Sequence, residues 1–64
     1  MNKINNLRKE HELTVKDFAS RLGISVSLAR ALLYGQRSPS LKVLKAIKRE
    51  FPETDIEDFI SYDN

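Results

Sequence analysis

The side chains that could do chemistry in this chain are mainly cations and hydrogen-bond donors. All eleven Lys and Arg residues lie within residues 1–50, against four acids, so this part has a net charge of +7. Residues 51–64 hold five acids and no Lys or Arg, a net charge of −5. A basic body beside an acidic segment is typical of a protein that binds a polyanion, although an unevenly charged solvated surface would give the same balance.

The other residue types of the chain argue against catalysis. The single histidine, His11, has neither a thiol nor an organised serine with which to form a nucleophile–base pair. The absence of cysteine excludes disulfides and thiolate zinc sites, and Gly23 and Gly35 alone do not make a Gly-rich phosphate loop. We therefore expect no enzyme activity, no metal site and no cofactor.

The length of 64 residues allows one small domain, residues 1–64, that buries only roughly 60% of its unfolded surface. No apolar run approaches the roughly 20 residues that span a bilayer. The first ten residues, MNKINNLRKE, lack the apolar core of a secretory signal. We expect a cytoplasmic protein that does not enter a membrane.

Helix signals recur along the chain, and no stretch alternates as a strand would. The first helix is predicted over residues 3–10. Thr14 is placed to cap a second helix, VKDFASRL, with Asp17 as a short capping-box acid, and Gly23 is placed to end it. Ser25 would cap the third helix, which Gly35 would end.

After the loop QRSPS, Ser40 would cap a fourth helix, LKVLKAIKREF. Residues 54–57, TDIE, match a full capping box for a short fifth helix, DIEDFISY. The apolar faces of the five helices contain Ile4, Leu7, Phe18, Ala19, Leu22, Ala29, Leu32, Leu41, Val43, Leu44, Ile47, Phe51, Ile56, Phe59 and Ile60.

Several short motifs occur in a fixed order: Leu7-Arg8, Leu13-Thr14, Phe18-Ala19, Leu22-Gly23-Ile24-Ser25, and Gly35 through Leu41. In this order and spacing the chain resembles the Cro/cI-type, or Xre-like, helix-turn-helix transcriptional regulators of bacteria and phages, over roughly residues 3–61. The resemblance implies an all-α fold: a compact five-helix, lambda-repressor-like DNA-binding domain. Its helix-turn-helix would occupy about residues 15–34.

The resemblance also implies that the third helix lies in the DNA major groove. By position, Val26, Ser27, Leu28, Arg30 and Ala31 would face the base edges. Arg30 could contact guanine through two hydrogen bonds, worth about 1–3 kcal/mol of discrimination, or could bind a phosphate instead. Ser27 could donate to a base or a phosphate, whereas Val26 and Leu28 could touch only thymine methyl groups.

Phosphate contacts are expected around the loop that follows the third helix and at two helix starts, where backbone N–H groups favour anions. The candidate residues are Gln36, Arg37, Ser38, Ser40, Lys16 and Lys42. For each lysine, an ordinary solvated charge explains the sequence equally well. Tyr34 could stack near the DNA backbone or pack at the end of the third helix.

Two positions depart from the family pattern. Val15 stands where many relatives have a phosphate-binding glutamine, and Val26 stands where many have a polar residue at the start of the third helix. These valines could pack together or face DNA as an apolar patch. Both the phosphate anchor and part of the base contacts therefore depend on where these two side chains lie.

Two functions follow from these expectations. The first is a small DNA-binding transcriptional regulator, a repressor of phage or mobile-element type, that binds double-stranded DNA as a homodimer; the fifth helix would supply the dimer interface or complete the core. The alternative is a helix-turn-helix fold that serves as a protein-binding module, an antirepressor or assembly partner, through an apolar face of Val15, Val26 and Leu28. The basic body favours DNA.

Overall fold

A computed structural model describes residues 3–59 of the chain. In that range the chain forms four α-helices and no strand: α1 (Lys3–Glu10), α2 (Val15–Leu22), α3 (Val26–Leu33) and α4 (Leu41–Glu50). A 3₁₀ helix (Ile56–Phe59) follows. The four predicted α-helices are confirmed. The fourth ends one residue early, because Phe51 leaves the helical conformation at φ −131° and ψ 73°.

Three helices begin at a hydroxyl-bearing residue. Thr14, Ser25 and Ser40 have extended backbones, and each side-chain oxygen accepts the backbone N–H three residues later, at 3.1, 3.0 and 3.3 Å. Such a cap satisfies one of the N–H groups that a helix start leaves without an intrahelical partner. These bonds fix where α2, α3 and α4 begin, as the sequence predicted.

Left-handed residues end the first three helices. Gly23 (φ 70°) follows α2 and Gly35 (φ 74°) follows α3. At each, the N–H of the glycine and that of the next residue donate to carbonyls three and five residues back, at 3.2 and 3.0 Å for Gly23 and at 3.3 and 2.8 Å for Gly35. Glu12 (φ 54°) ends α1 in the same way, which explains why the periodic pattern breaks at residues 11–13.

The core lies between all four α-helices. Its buried members are Ile4, Leu7, Phe18, Leu22, Leu32, Leu33, Val43, Ala46, Ile47 and Phe51. Phe18 and Phe51 stack with their ring centroids 6.0 Å apart. The small residues Ala19 and Ala29 are buried on α2 and α3, which pack closely against each other around the Gly23 turn. This packing fixes the direction of α3 relative to α2.

Leu41 is a correction to the predicted core, because 65% of it is exposed. An α-helix turns about 100° per residue. Leu41 therefore falls among Lys42 and Lys45, on the side of α4 opposite to the buried Val43 and Ile47. The spacing of Leu41 and Leu44, at i and i+3, predicted an apolar stripe that includes Leu41. The buried face of α4 is rotated away from that stripe.

The predicted fifth helix is a second correction. The structure has only the 3₁₀ turn at residues 56–59, and residues 60–62 of the prediction lie outside the described range. Thr54 does not form the expected capping box, since its buried Oγ1 has no hydrogen-bond partner among the described residues. Asp55 caps the turn instead, and its Oδ1 accepts the N–H of Glu57 at 3.1 Å.

The acidic segment after α4 packs against α1 and the C-terminal end of α4. Lys48 Nζ donates to the carbonyl oxygens of Pro52 and Thr54 at 2.9 and 2.8 Å. Asp58 accepts from Lys3 at 3.3 Å across the gap to α1. None of the helices within residues 3–59 is long and apolar enough to cross a membrane.

Candidate nucleic-acid interface

The third helix has one exposed side, and most of its chemistry-bearing residues lie there. Ala29, Leu32 and Leu33 are buried, at most 2% exposed. At about 100° per residue, the opposite side forms an arc of about 140°. In angular order this arc contains Val26, Arg30, Tyr34, Ser27 and the half-buried Ala31. The exposed face of α3 therefore carries the Arg30 guanidinium and the Ser27 hydroxyl, and the Tyr34 phenol lies on the same side at the end of the helix.

Leu28 lies away from this arc. It is half-buried and packs against the core, whereas Val26 is 37% exposed at the arc's edge. The structure thus brings Val26, Ser27 and Arg30 together and turns Leu28 toward the protein. A base contact by Leu28, as expected by position, would come from the flank of the helix.

Val15 also packs against the core and is half-buried. Of the two valines that depart from the family pattern, only Val26 is exposed enough to be called a surface residue. The first turn of α2 nevertheless keeps a charged group, because Lys16 is exposed beside the backbone N–H groups that a helix start leaves free. An anion at this end of α2 would meet Lys16 and the remaining backbone N–H groups rather than a glutamine side chain, beside the exposed carboxylate of Asp17.

The loop between α3 and α4 is exposed at nearly every position. Gln36, Arg37, Ser38 and Ser40 all face solvent. Ser40 Oγ already accepts the Val43 N–H at 3.3 Å, but its own hydroxyl hydrogen remains available for donation. The hydroxyls, amide and guanidinium of this loop are the donor types that bind phosphate oxygens.

The basic side chains separate into two groups by their partners. Lys3, Arg8, Arg21, Lys48 and Arg49 each hydrogen-bond to a carboxylate, an amide oxygen or a backbone carbonyl. The rest form no ion pair or side-chain hydrogen bond with other residues of the described range 3–59: Lys9, Lys16, Arg30, Arg37, Lys42 and Lys45. Except for Lys9, this second group falls between the start of α2 and the middle of α4.

Acids in and after the last turn of α4 neutralise three members of the first group, Lys3, Arg21 and Arg49. Glu50 accepts from Arg21 and Arg49, each at 3.1 Å, and these two hydrogen bonds lower the pKa of its carboxyl. The Arg21 guanidinium also lies 4.9 Å from the centroid of the Phe51 ring. The negative charge near α4 is therefore concentrated at the end of the helix that is remote from Lys42.

Glu53 makes the corresponding contact to the turn after α1. Its Oε2 lies 2.8 Å from His11 Nε2, and the His11 ring packs 4.6 Å from the centroid of Phe51. The pKa of Glu53 is lowered, first by its own backbone N–H and then by His11. His11 therefore has a structural partner and lies apart from the exposed face of α3.

The structure adds two points to this surface: one concerns Tyr34, whose role the sequence left open, and the other Lys45, which the sequence did not assign. Tyr34 is 66% exposed, so packing at the helix end, one of its two expected roles, does not occur. Lys45 lies one turn after Lys42 on the same exposed side of α4 and has no partner in the described range. Helical spacing in the sequence could have indicated both positions. Tyr34 lies four residues after Arg30, and Lys45 lies three residues after Lys42.

Comparison with known proteins bears on this surface. A family model described as helix-turn-helix matches residues 4–59, which is well over half of the chain. Searches of curated proteins and of solved structures gave no significant match. The matched range contains every side chain of the exposed arc, the loop after α3 and the unpaired cations.

Proposed function

Because the chain belongs to the Cro/cI-type (Xre-like) helix-turn-helix family, whose members are DNA-binding transcription regulators, we propose that it represses transcription by occupying an operator. Repression of this kind needs a DNA-binding face and no catalytic group. The proposal includes the type of regulator, a repressor of phage or mobile-element control systems.

The observation that carries the proposal is the distribution of unpaired cations. Five basic side chains without partners in the described range lie in α2, α3, the following loop and the first half of α4, whereas bases near the acidic segment are paired. Unpaired cations can displace the counterions that surround DNA, and this displacement supplies most of the sequence-independent affinity. A surface that only needed solubility would gain nothing from this separation.

In the proposed complex the exposed arc of α3 enters the major groove. Arg30 contacts guanine, Ser27 donates to a base or a phosphate, and Val26 packs on a thymine methyl group. Leu28 contributes from the flank. The phosphate contacts come from Lys16, Gln36, Arg37, Ser38, Ser40 and Lys42, and from Lys45, which follows Lys42 on the same exposed side of α4.

A single copy offers few base contacts, so we propose that two copies bind a palindromic operator. Half-sites one helical turn apart, about 34–36 Å, would place two α3 helices in successive major grooves on one side of the duplex. With little direct base contact per copy, part of the sequence preference would come from DNA shape.

The first test is fluorescence anisotropy of a labelled pool of mixed-sequence duplexes, titrated with the protein at 50 and 200 mM salt. With about five phosphate contacts, the affinity should fall on the order of 10²–10³-fold between these concentrations. Absence of binding even at the lower salt concentration would contradict the proposal.

Matched charge variants sharpen the test. The triple variant Lys16→Gln/Lys42→Gln/Lys45→Gln should lose most of the salt dependence, since each phosphate contact contributes about 0.9 to the slope of log K against log salt. Lys9→Gln is the control, because Lys9 is also unpaired in the described range but lies on α1. The loss of binding free energy in Lys9→Gln should be much smaller than one third of the loss in the triple variant. A loss as large as that third would mean that the contact surface had been placed wrongly.

The alternative function, a protein-binding module, receives less support from the structure. It requires an apolar surface of Val15, Val26 and Leu28, but Val15 and Leu28 are half-buried against the core. The observation in its favour is an exposed apolar side chain, Leu41, at the start of α4. This function would be preferred only if the anisotropy titration found no DNA binding.

A further inference from the structure

Tyr34 occupies an unusual position for an aromatic residue. It follows the last residue of α3, with φ −94° and ψ 5°, and is 66% exposed. Its hydroxyl makes no hydrogen bond to any residue of the described range. Arg30 lies four residues earlier, so the two side chains are neighbours on the exposed arc of α3.

The backbone that follows Tyr34 is closed onto α3. The N–H of Tyr34 donates to Arg30 O at 2.9 Å, and the N–H groups of Gln36 and Arg37 both donate to Ala31 O, at 2.8 and 3.2 Å. Since these N–H groups and that of Gly35 are occupied, residues 34–37 do not offer an anion the free backbone N–H groups of a helix start. An anion contact by residues 34–37 must therefore come from their side chains, which project from a backbone fixed by these bonds.

The length of α3 indicates what these side chains meet. Eight residues at about 1.5 Å each give a helix of about 12 Å, close to the major-groove width of about 12 Å. When the first turn of such a helix faces the base edges, its end lies at the rim of the groove, where the phosphates are. A phenol and a guanidinium three residues apart at that end are suitable donors to phosphate oxygens.

We propose that the Tyr34 hydroxyl and the Arg37 guanidinium bind a phosphodiester of DNA from the end of α3. This inference rests on the proposed DNA-binding function and adds a contact to it. The phenol is an uncharged donor on a rigid ring, so it orients α3 in the groove, whereas Arg37 supplies the charge. Together they set how deeply Arg30 reaches toward the bases.

The test measures binding of Tyr34→Phe, Arg37→Gln and the unaltered protein to the same duplex pool as a function of salt. Tyr34→Phe removes one oxygen from an exposed ring and should leave the melting temperature unchanged. We expect it to weaken binding about 5- to 20-fold on every duplex, with an unchanged salt slope because no charge is lost. Arg37→Gln should weaken binding and reduce the slope by about one unit.

The result that overturns the inference is equal binding, within twofold, by Tyr34→Phe and the unaltered protein. Tyr34→Ala separates a further case: loss of affinity in Tyr34→Ala but not in Tyr34→Phe would assign the contact to the ring and overturn the hydroxyl–phosphate contact. Both outcomes require that the unaltered protein binds DNA. If it does not bind at low salt, the proposed function itself has failed, and the two failures are therefore distinguishable.

Discussion

At the scale of single residues, Thr54 is the clearest weak point of the fold. It is 9% exposed, and its Oγ1 is buried with no partner in the described range, while its backbone N–H and carbonyl are both used. An unpaired buried hydroxyl costs about 1–3 kcal/mol. We expect Thr54→Val, which replaces the hydroxyl with a methyl group of similar shape, to raise the free energy of unfolding by about 1 kcal/mol in urea denaturation.

The control for this expectation is Thr54→Ala. It also removes the hydroxyl but deletes the buried methyl group, so it should be less stable than Thr54→Val by about 1 kcal/mol. If Thr54→Val were less stable than the unaltered protein, the hydroxyl would have a partner, and the explanation for the missing capping box would have to change.

Three apolar residues show the limit of sequence reasoning at this scale. Val15, Val26 and Leu28 look alike in the sequence, and each could face either the core or a partner. Their burial depends on the angle at which α2 and α3 pack, which no local pattern specifies. The structure turns Val15 and Leu28 toward the core and leaves Val26 at the surface.

At the scale of elements, the four α-helices could be predicted because their ends are encoded locally. Thr14, Ser25 and Ser40 supply caps within three residues, and Gly23 and Gly35 supply the left-handed ends. The fifth helix could not be predicted in the same way. Its capping residue was assigned from a motif, but packing against α1 and α4 buries Thr54 and transfers the cap to the next residue.

The turn between α2 and α3 gives a test at this scale. Gly23 has φ 70°, and a Cβ at this position would meet no atom within 4 Å. The cost of Gly23→Ala is therefore conformational rather than steric, about 1–2 kcal/mol for an L-residue in the left-handed region. We expect urea denaturation to give a free energy of unfolding lower by about that amount.

Gly23→Asn is the matched comparison, because asparagine enters the left-handed region at lower cost. It should be more stable than Gly23→Ala although its side chain is larger. Glu12, at φ 54° after α1, shows that this chain already tolerates a side chain in the same conformation at a helix end. If the asparagine variant were the less stable one, the open space around Gly23 would be occupied in solution.

At the scale of the whole molecule, the charge imbalance was visible in the sequence but its use was not. The sequence places five of the nine acids after residue 50 and all eleven Lys and Arg residues before it. Only the fold shows that Asp58 pairs with Lys3 at the start of α1 and Glu53 with His11 in the turn after it. Within residues 3–59, Lys16, Arg30, Arg37, Lys42 and Lys45 stay unpaired. Long-range pairing of this kind, over 42 and 55 residues, depends on the packing of α1 against the segment after α4.

The contacts of Glu50 and Glu53 make the stability of the fold depend on pH. The pKa values of Glu50 and Glu53 are lowered from their ordinary value of 4.5, so both carboxylates favour the folded state while they are ionised. This contribution is complete above pH 4.5 and is lost as the pH falls through the lowered pKa values. We expect the melting temperature, followed by circular dichroism, to be level above about pH 5.5 and to fall on further acidification.

Glu50→Gln should melt at a lower temperature than the unaltered protein at pH 7, because Arg21 and Arg49 lose their shared carboxylate. The difference should shrink toward pH 3, where the carboxylate of the unaltered protein also becomes protonated. Glu57→Gln is the control, since Glu57 is exposed and forms no ion pair in the described range. A difference between Glu50→Gln and the unaltered protein that stayed constant from pH 7 to pH 3 would mean that Glu50 stabilises the fold through packing. The acidic end of the molecule would then have no electrostatic role in holding α2 against α4.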